Sequence, residues 1–290
     1  MKRKSRAVNR TKRKTVLFTI LVLFVCCAAF VIADQWHLTV VHYQVTTDKL
    51  GQSVRIVELT DLHNREFGKG SSDLVAKIKE QSPDLIAMVG DMNADNDNDE
   101  QAVIPLISKL TKIAPVYYVL GNHELKLKDP DGFAGKVKDA GAVYLKNEMA
   151  EFPVGDKKIT IGGLCYYPFY DAFAPDYDNP QRYFLEDFSN QENFKLLLCH
   201  FPEYFIWRFS EYDIDLMLAG HTHGGVVRVP FLGGIVAPNQ EGLFPEYCDG
   251  FHTKNGSSII ISKGLGSNKW WIPRINNPPE ITVIDIGPIS

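Results

Sequence analysis

The chain has 290 residues, 45% hydrophobic and 23% charged, an ordinary globular composition with a formal net charge of −4. The charge is uneven: the first 14 residues carry eight Lys/Arg and no acid, which leaves 23 basic against 35 acidic residues beyond them. A globular part at net −12 argues against nonspecific nucleic-acid binding, which needs clustered Lys/Arg to meet phosphates. Behind the basic leader, residues 15–33 contain no charge, enough helix to cross a bilayer core of about 30 Å. Residues 34–48 contain no Lys or Arg, so the positive-inside rule puts the N-terminus in the cytoplasm and the large domain outside. An uncleaved anchor and a cleaved secretory signal both fit; the length of the run and its strongly basic flank favour the anchor. The division expected is a basic tail at 1–14, a transmembrane anchor at 15–33, a juxtamembrane segment at 34–50 and one globular domain at 51–290.

From residue 54 short β-rich runs alternate with amphipathic ones. Strands are expected at 54–60, 84–91 and 116–120, with helices at 71–81 and 101–113 between them. Later strands are expected at 159–164, 194–199, 214–219, 257–262 and 280–286. This alternation gives an α/β domain with largely parallel sheet, and the helix-poor C-terminal third adds antiparallel strands and a second packed sheet. Residues 166–185 are too rich in Pro, Asp and aromatics for a regular element, and read either as a loop over a site or as an inert excursion. The acidic run at 95–100 lacks the Gly and the terminal Glu of a calcium loop and reads as solvated. Cys165, Cys199 and Cys248 have no metal-type spacing and read as buried apolar residues.

Five short motifs close apolar strands, where open α/β sheets put their sites. They are Asp61-Leu-His63, Gly90-Asp91, Gly121-Asn122-His123-Glu124, His200, and Gly220-His221-Thr222-His223-Gly224. Residues two apart at a strand end share a direction, so Asp61 with His63, and His221 with His223, can face one ion. Singly each motif is unspecific; together they hold five of the eight histidines in the chain.

In this order the motifs resemble those of the calcineurin-like metallophosphoesterases, over nearly all of residues 54–286 and nearest to the bacterial membrane-anchored phosphodiesterase branch. Relatives in that branch cleave the pyrophosphate of UDP-diacylglucosamine. The resemblance implies a four-layer α/β/β/α sandwich of two mixed sheets behind the N-terminal transmembrane helix. It implies two divalent ions per chain: Asp61, His63 and His223 on the first, Asn122, His200 and His221 on the second, and Asp91 bridging both. His123 would face the substrate phosphate as the catalytic group, with Glu124 either orienting a ligand or serving as a structural acid. Mixed nitrogen and oxygen ligands suit Mn, Zn or Fe. Such a pair lowers the pKa of a shared water and clamps phosphoryl oxygens during in-line attack.

The implied activity is hydrolysis of a phosphodiester or pyrophosphate by a metal-bridging hydroxide at the outer face of the cell membrane. The substrate would be a phosphate-containing small molecule, lipid or cell-envelope component, with no nucleic acid expected. A secreted phosphomonoesterase and a non-catalytic scaffold on the same fold are the alternatives. Ala94 stands where purple acid phosphatases carry a tyrosine ligand, which argues against a tyrosinate-bound ferric ion. Arg65 is a candidate phosphate contact or else an exposed charge, and Lys263 with the turn at 264–266 could approach the site. Trp270 and Trp271 fit either a lipid or sugar contact or plain packing.

Overall fold

The computed structural model describes residues 2–94, 100–165, 180–237, 243–267 and 273–288. The acidic run at 95–99, the aromatic segment at 166–179 and the tryptophan pair at 270–271 lie outside the described residues. The chain opens with one helix, α1 (Lys2–Trp36), longer at both ends than the apolar run, because no Gly or Pro interrupts it. Its stretch Arg13–Trp36 is a candidate membrane span of 24 residues, about 36 Å at helical rise.

The strands in chain order are β1 (Thr39–Thr47), β2 (Val54–Leu59), β3 (Leu85–Val89), β4 (Val116–Val119), β5 (Val143–Tyr144), β6 (Glu148–Val154) and β7 (Lys157–Gly163). They continue as β8 (Phe194–Leu198), β9 (Leu216–Ala219), β10 (Arg228–Val229), β11 (Gly233–Gly234), β12 (Gly250–Lys254), β13 (Ser257–Ile261) and β14 (Glu280–Pro288). The remaining helices are α2 (Ser72–Glu80), α3 (Glu100–Leu110), α4 (Asn122–Leu125), α5 (Pro130–Asp139), α6 (Pro180–Ser189) and α7 (Pro202–Trp207). Two six-stranded sheets result, in the orders β1-β14-β2-β3-β4-β5 and β12-β13-β9-β8-β7-β6, with β10 and β11 as a separate hairpin. Each sheet is mixed: β2 to β5 run parallel beside antiparallel β14, and β7, β8, β9 and β13 run parallel between antiparallel β6 and β12.

Side-chain alternation turns these sheets into four layers. In the second sheet Leu196, Leu198, Leu216, Leu218 and Ile260 join one core with Ile56, Met88 and Tyr118 of the first. The intervening Leu197, Met217, Ile259 and Ile261 pack instead with Phe188 of α6 and Phe205 of α7. A period of two therefore assigns one face to the other sheet and the opposite face to helices. On the first sheet α2, α3 and α5 bury Leu74, Ile78, Val103, Ile107, Phe133 and Val137 in the same core.

All eight expected strands are present. Six strands went unread: β5, β10 and β11 are two residues long, and β1, β6 and β12 are edges whose half-exposed, polar-interrupted runs lack a buried-strand signal. The segment at 166–185 is partly regular after all. Pro180 is tolerated in the first turn of α6, and Phe184, Leu185 and Phe188 then fall on one buried face. β1 lies inside the stretch expected to be a juxtamembrane connector and pairs with β14 along its whole length. Cys165, Cys199 and Cys248 are buried and free, and burial pushes their thiols up, Cys165 to about 12 and Cys248 to about 11.

The end of α1 is fastened to the domain. Asn277 donates its N–H to Asp34 Oδ2 (3.0 Å), and the Gln35 amide bonds both the N–H (3.1 Å) and the carbonyl of Arg274. Arg65 donates to the carbonyl of Gln35 and lies 4.4 Å over the Trp36 ring and 5.0 Å over Phe67.

Leu218→Ala removes a fully buried side chain between the sheets and is expected to cost about 2–5 kcal/mol in urea unfolding followed by circular dichroism. Phe251→Ala, on the half-exposed edge strand β12, should stay within about 0.5 kcal/mol of the parent. Equal losses would contradict the layer assignment.

Candidate metal centre

The centre forms where both sheets end. Beyond β2, β3 and β4 come Asp61 and His63, Asp91, and Asn122 and His123; beyond β8 and β9 come His200, His221 and His223. The first two loops are zipped together: the N–H groups of Asp61, His63 and Asn64 donate to the carbonyls of Gly90, Asp91 and Met92 at 3.0–3.1 Å. A matching bond joins Gly220 N–H to the carbonyl of His200 (3.1 Å). Asp61, His63, Asp91, His221 and His223 all have φ between 49° and 71°, a left-handed region that non-glycine residues seldom occupy. Backbone strain of this kind persists where the surroundings over-determine it, and it gathers at functional sites. Gly220 shows how close the loops come, since a Cβ there would lie 2.1 Å from Thr60 Oγ1 and 2.5 Å from Asp61 Oδ2.

The side chains converge on two carboxylates. His223, His63 and His200 present Nε2 to Asp61 Oδ1 at 3.6, 3.8 and 3.9 Å. His200 Nε2 is 3.1 Å from Asp91 Oδ2, and His123 Nε2 is 3.7 Å from the same oxygen. Donor atoms of Asp61, His63 and His223 lie within 4.8 Å of one another, as do those of Asp91, His200 and His221. A third grouping, His63, Asp91 and His123, overlaps both. Six of the seven expected ligands fall in these groupings, Asp91 in two of them; His123, expected to face the substrate, joins the third, and Asn122 precedes it in the loop after β4.

The donor set fits divalent cations. Asp61 Oδ1, both ring nitrogens of His63 and Asn122 Oδ1 are buried without a hydrogen-bond partner. Buried polar atoms without partners are rare, and a convergent group of carboxylate, amide and imidazole donors is what such an ion requires. His200 accordingly turns Nδ1 to the carbonyl of Val89 (2.8 Å), which leaves Nε2 for the centre.

Protonation follows the same geometry. Burial opposes ionisation of Asp61, but His223, His63 and His200 outweigh it and hold the carboxyl below its usual range. Asp91 is lowered likewise, against its burial, chiefly by His200. Burial pushes His221 down to about 3, helped by the neighbouring His200, and His223 down to about 4, so both keep the neutral, ligating form. His200 goes the other way: its burial is outweighed by Asp91 and then Asp61, which lift it to about 10.

Several supporting residues complete the centre. Glu124 is fully buried; Oε2 accepts from the N–H of Asp91 (2.8 Å) and Gly121 (2.9 Å), and Oε1 from the N–H of Asn93 (2.8 Å) and the Tyr118 hydroxyl (3.1 Å). It is thus a structural acid that fixes the loops carrying Asp91 and Asn122. Arg274, also fully buried, donates to the carbonyls of Gly266, Lys263 and Asn277 (2.6–2.9 Å). The Asn277 amide in turn donates to the carbonyl of His223 (2.8 Å), and the Gly266 carbonyl meets His223 Nδ1 (3.3 Å). An arginine among prolines and asparagines has no periodic pattern to betray this role. The turn at 264–266 reaches the centre as expected, donating from Leu265 N–H to the carbonyl of Thr60 (3.1 Å), whereas Lys263 pairs with Glu280 (2.8 Å). The Arg65 guanidinium is engaged at the α1 joint rather than among the ligands.

The Asp and His loops thus gather at one end of two packed mixed sheets. The sequence profile of the calcineurin-like phosphoesterases matches residues 54–225, a span that holds every candidate ligand, and the chain belongs to that family. It is 29% identical over 239 residues to YkuE, an uncharacterized metallophosphoesterase of Bacillus subtilis, covering 80% of this chain and 78% of the relative. It is 29% identical over 238 residues to the phosphodiesterase YaeI of Escherichia coli, covering 80% and 82%. Among solved structures, the phosphopantetheinyl hydrolase PptH of Mycobacterium tuberculosis aligns with 77% of this chain and 93% of its own, at 14% identity and a TM-score of 0.46.

Glu124→Gln puts an amide NH2 where the carboxylate accepts from backbone N–H groups. It is expected to lower stability to urea by about 1–3 kcal/mol. A neutral result would show that the carboxylate is dispensable for loop geometry.

Proposed function

We propose that the chain is a membrane-anchored phosphodiesterase that uses two divalent ions. Asp61, His63 and His223 hold one, Asn122, His200 and His221 the other, and Asp91 joins them. The observation that carries this reading is the unpartnered set of buried donors around Asp61 and Asp91, for which no ligand in the protein itself accounts. The similarity to the Escherichia coli phosphodiesterase YaeI supports the preference for a diester. Mn, Zn or Fe suits the donors. The apolar helix supports attachment to a membrane, and the eight basic residues before it support a cytoplasmic N-terminus with the domain on the outer face. The substrate would then be a phosphate-containing small molecule, lipid or cell-envelope component.

The ions supply a water of lowered pKa and a hold on the phosphoryl oxygens. The protein supplies placement. Asp91 fixes its carboxylate by accepting His123 N–H on Oδ1 (2.8 Å), which ties the catalytic histidine to the centre by backbone. Asp61 is aimed by the His221 N–H, which donates to Oδ2 (3.0 Å) and leaves Oδ1 facing the histidines. His123, packed edge-on against His63 with ring centres 4.6 Å apart, can deliver a proton to the departing ester oxygen or steady the charge on the phosphoryl group. Burial of the centre under both sheet ends keeps bulk water from screening these charges.

Chelation is expected to abolish hydrolysis of bis(4-nitrophenyl) phosphate by the full chain in detergent, and added Mn or Zn to restore it. Asp91→Ala should then lose bound metal, read by elemental mass spectrometry, together with activity. Turnover that survives exhaustive metal removal would end this reading.

His123→Ala is expected to keep its metal while kcat falls about 10²–10⁴-fold. A parallel loss of metal would move His123 into the ligand set, as its grouping with His63 and Asp91 allows.

A further inference from the structure

Just past the last histidine of the ligand loops, a short hairpin carries exposed apolar side chains. β10 and β11 pair antiparallel, and Leu232 N–H donates to the carbonyl of Val229 (3.1 Å) across a turn cornered by Pro230 and Phe231. Phe231 has φ 69°, at a turn position that ordinarily takes Gly or Asn, so a bulky ring is held there against its backbone preference. That ring is fully exposed (106%), and Leu232 (62%), Val236 (52%) and Leu243 (68%) stand out beside it. Among the described residues 226–237 and 243–245 only Arg228 is charged, and it is paired with Asp249 at 2.7 Å.

This hairpin is rooted at the end of α1. Arg228 N–H donates to the carbonyl of Ile275 (3.0 Å) and Ile275 N–H to that of Val226 (3.2 Å). The adjacent Arg274 is the residue that Gln35 grips through both its N–H and its carbonyl. Trp36 closes the apolar helix at this same joint and is 59% exposed. The base of the hairpin and the end of the candidate span are thus joined through Ile275 and Arg274.

We propose that the β10–β11 hairpin is a second membrane contact, with Phe231 and Leu232 entering the boundary between headgroups and acyl chains of the bilayer that α1 crosses. The proposal rests on reading α1 as an anchor. A patch of a few side chains is small against the roughly 1,000 Å² that a specific protein interface needs. It suffices for a lipid surface, because α1 already holds it there and its local concentration is high. An aromatic ring, and the absence of unpaired charge among the described residues 226–237 and 243–245, suit that boundary. The backbone of Gly234 lies directly against Gly225, where a Cβ would meet the Gly234 Cα at 2.6 Å, so the histidine loop is held close to the lipid surface.

The test uses the full chain in vesicles of lipids brominated along the acyl chain, with an indole introduced by Phe231→Trp. Val143→Trp, on β5 at the edge of the first sheet farthest from β1, is the control. After subtraction of the parent signal, the Phe231→Trp indole is expected to emit blue-shifted light, to be quenched by shallowly brominated lipid and to be shielded from aqueous iodide. The Val143→Trp indole should show none of these effects. Equal behaviour at the two positions overturns the proposal. So does shielding from iodide without quenching by lipid, which would mean that a second copy or another protein covers the patch. Carbonate extraction distinguishes the failures: a chain washed off removes the anchor reading and this one with it, whereas a chain retained with its indole in water removes this one alone.

Discussion

Two ionised carboxylates, those of Asp61 and Asp91, lie buried between hydrophobic sheets, and charge in such a place must be compensated or it disappears by protonation. The architecture at this end of the sandwich answers that demand. Four imidazole nitrogens stand within 4 Å of one or other carboxylate, and backbone N–H groups of His221 and His123 donate to the remaining oxygens. Nearby acids that lack such company take the opposite course. Glu58, fully buried with no partner on either oxygen, is driven well above the usual carboxyl range by its burial and then by Glu280 and Asp61. Neighbouring carboxyl groups are thus sorted into charged and neutral forms by surroundings alone.

That sorting explains why loop geometry is so tightly specified. Five of the candidate ligands adopt left-handed backbone, and only a dense set of bonds between loops keeps them there. Glu124 provides part of it from one sheet, and Arg274 with Asn277 provides part from the other. The ligands are the visible part of a structure whose larger share is backbone held to backbone.

Much of the fold was legible because fully buried strands are written as unbroken apolar runs. Leu85–Val89 leaves no other reading, Phe194–Leu198 is broken only by Lys195, and the motifs sit directly behind such runs. Edge strands such as Glu148–Val154 escaped because half their side chains face water and the pattern dissolves into loop composition. The ligands were legible as Asp and His at strand ends, whereas Arg274 was not, since nothing local marks an arginine whose partners are carbonyls brought near by folding. Arg65 illustrates the converse: a charge two residues beyond a ligand suggested phosphate, yet its partner is a tryptophan ring 29 positions earlier in the chain.

The three buried thiols have a consequence for how the chain must mature. On the outer face proposed for the domain, oxidising conditions favour disulfides, yet Cys165, Cys199 and Cys248 stand free in the folded chain. Their raised pKa values keep the reactive thiolate scarce once the core has closed. An odd number of cysteines with no native pairing means that any disulfide among them is a fault, with no correct arrangement for an isomerase to restore. With the domain outside as proposed above, safety would lie in speed, since these three thiols would be vulnerable only between arrival across the membrane and the closure of the sheets.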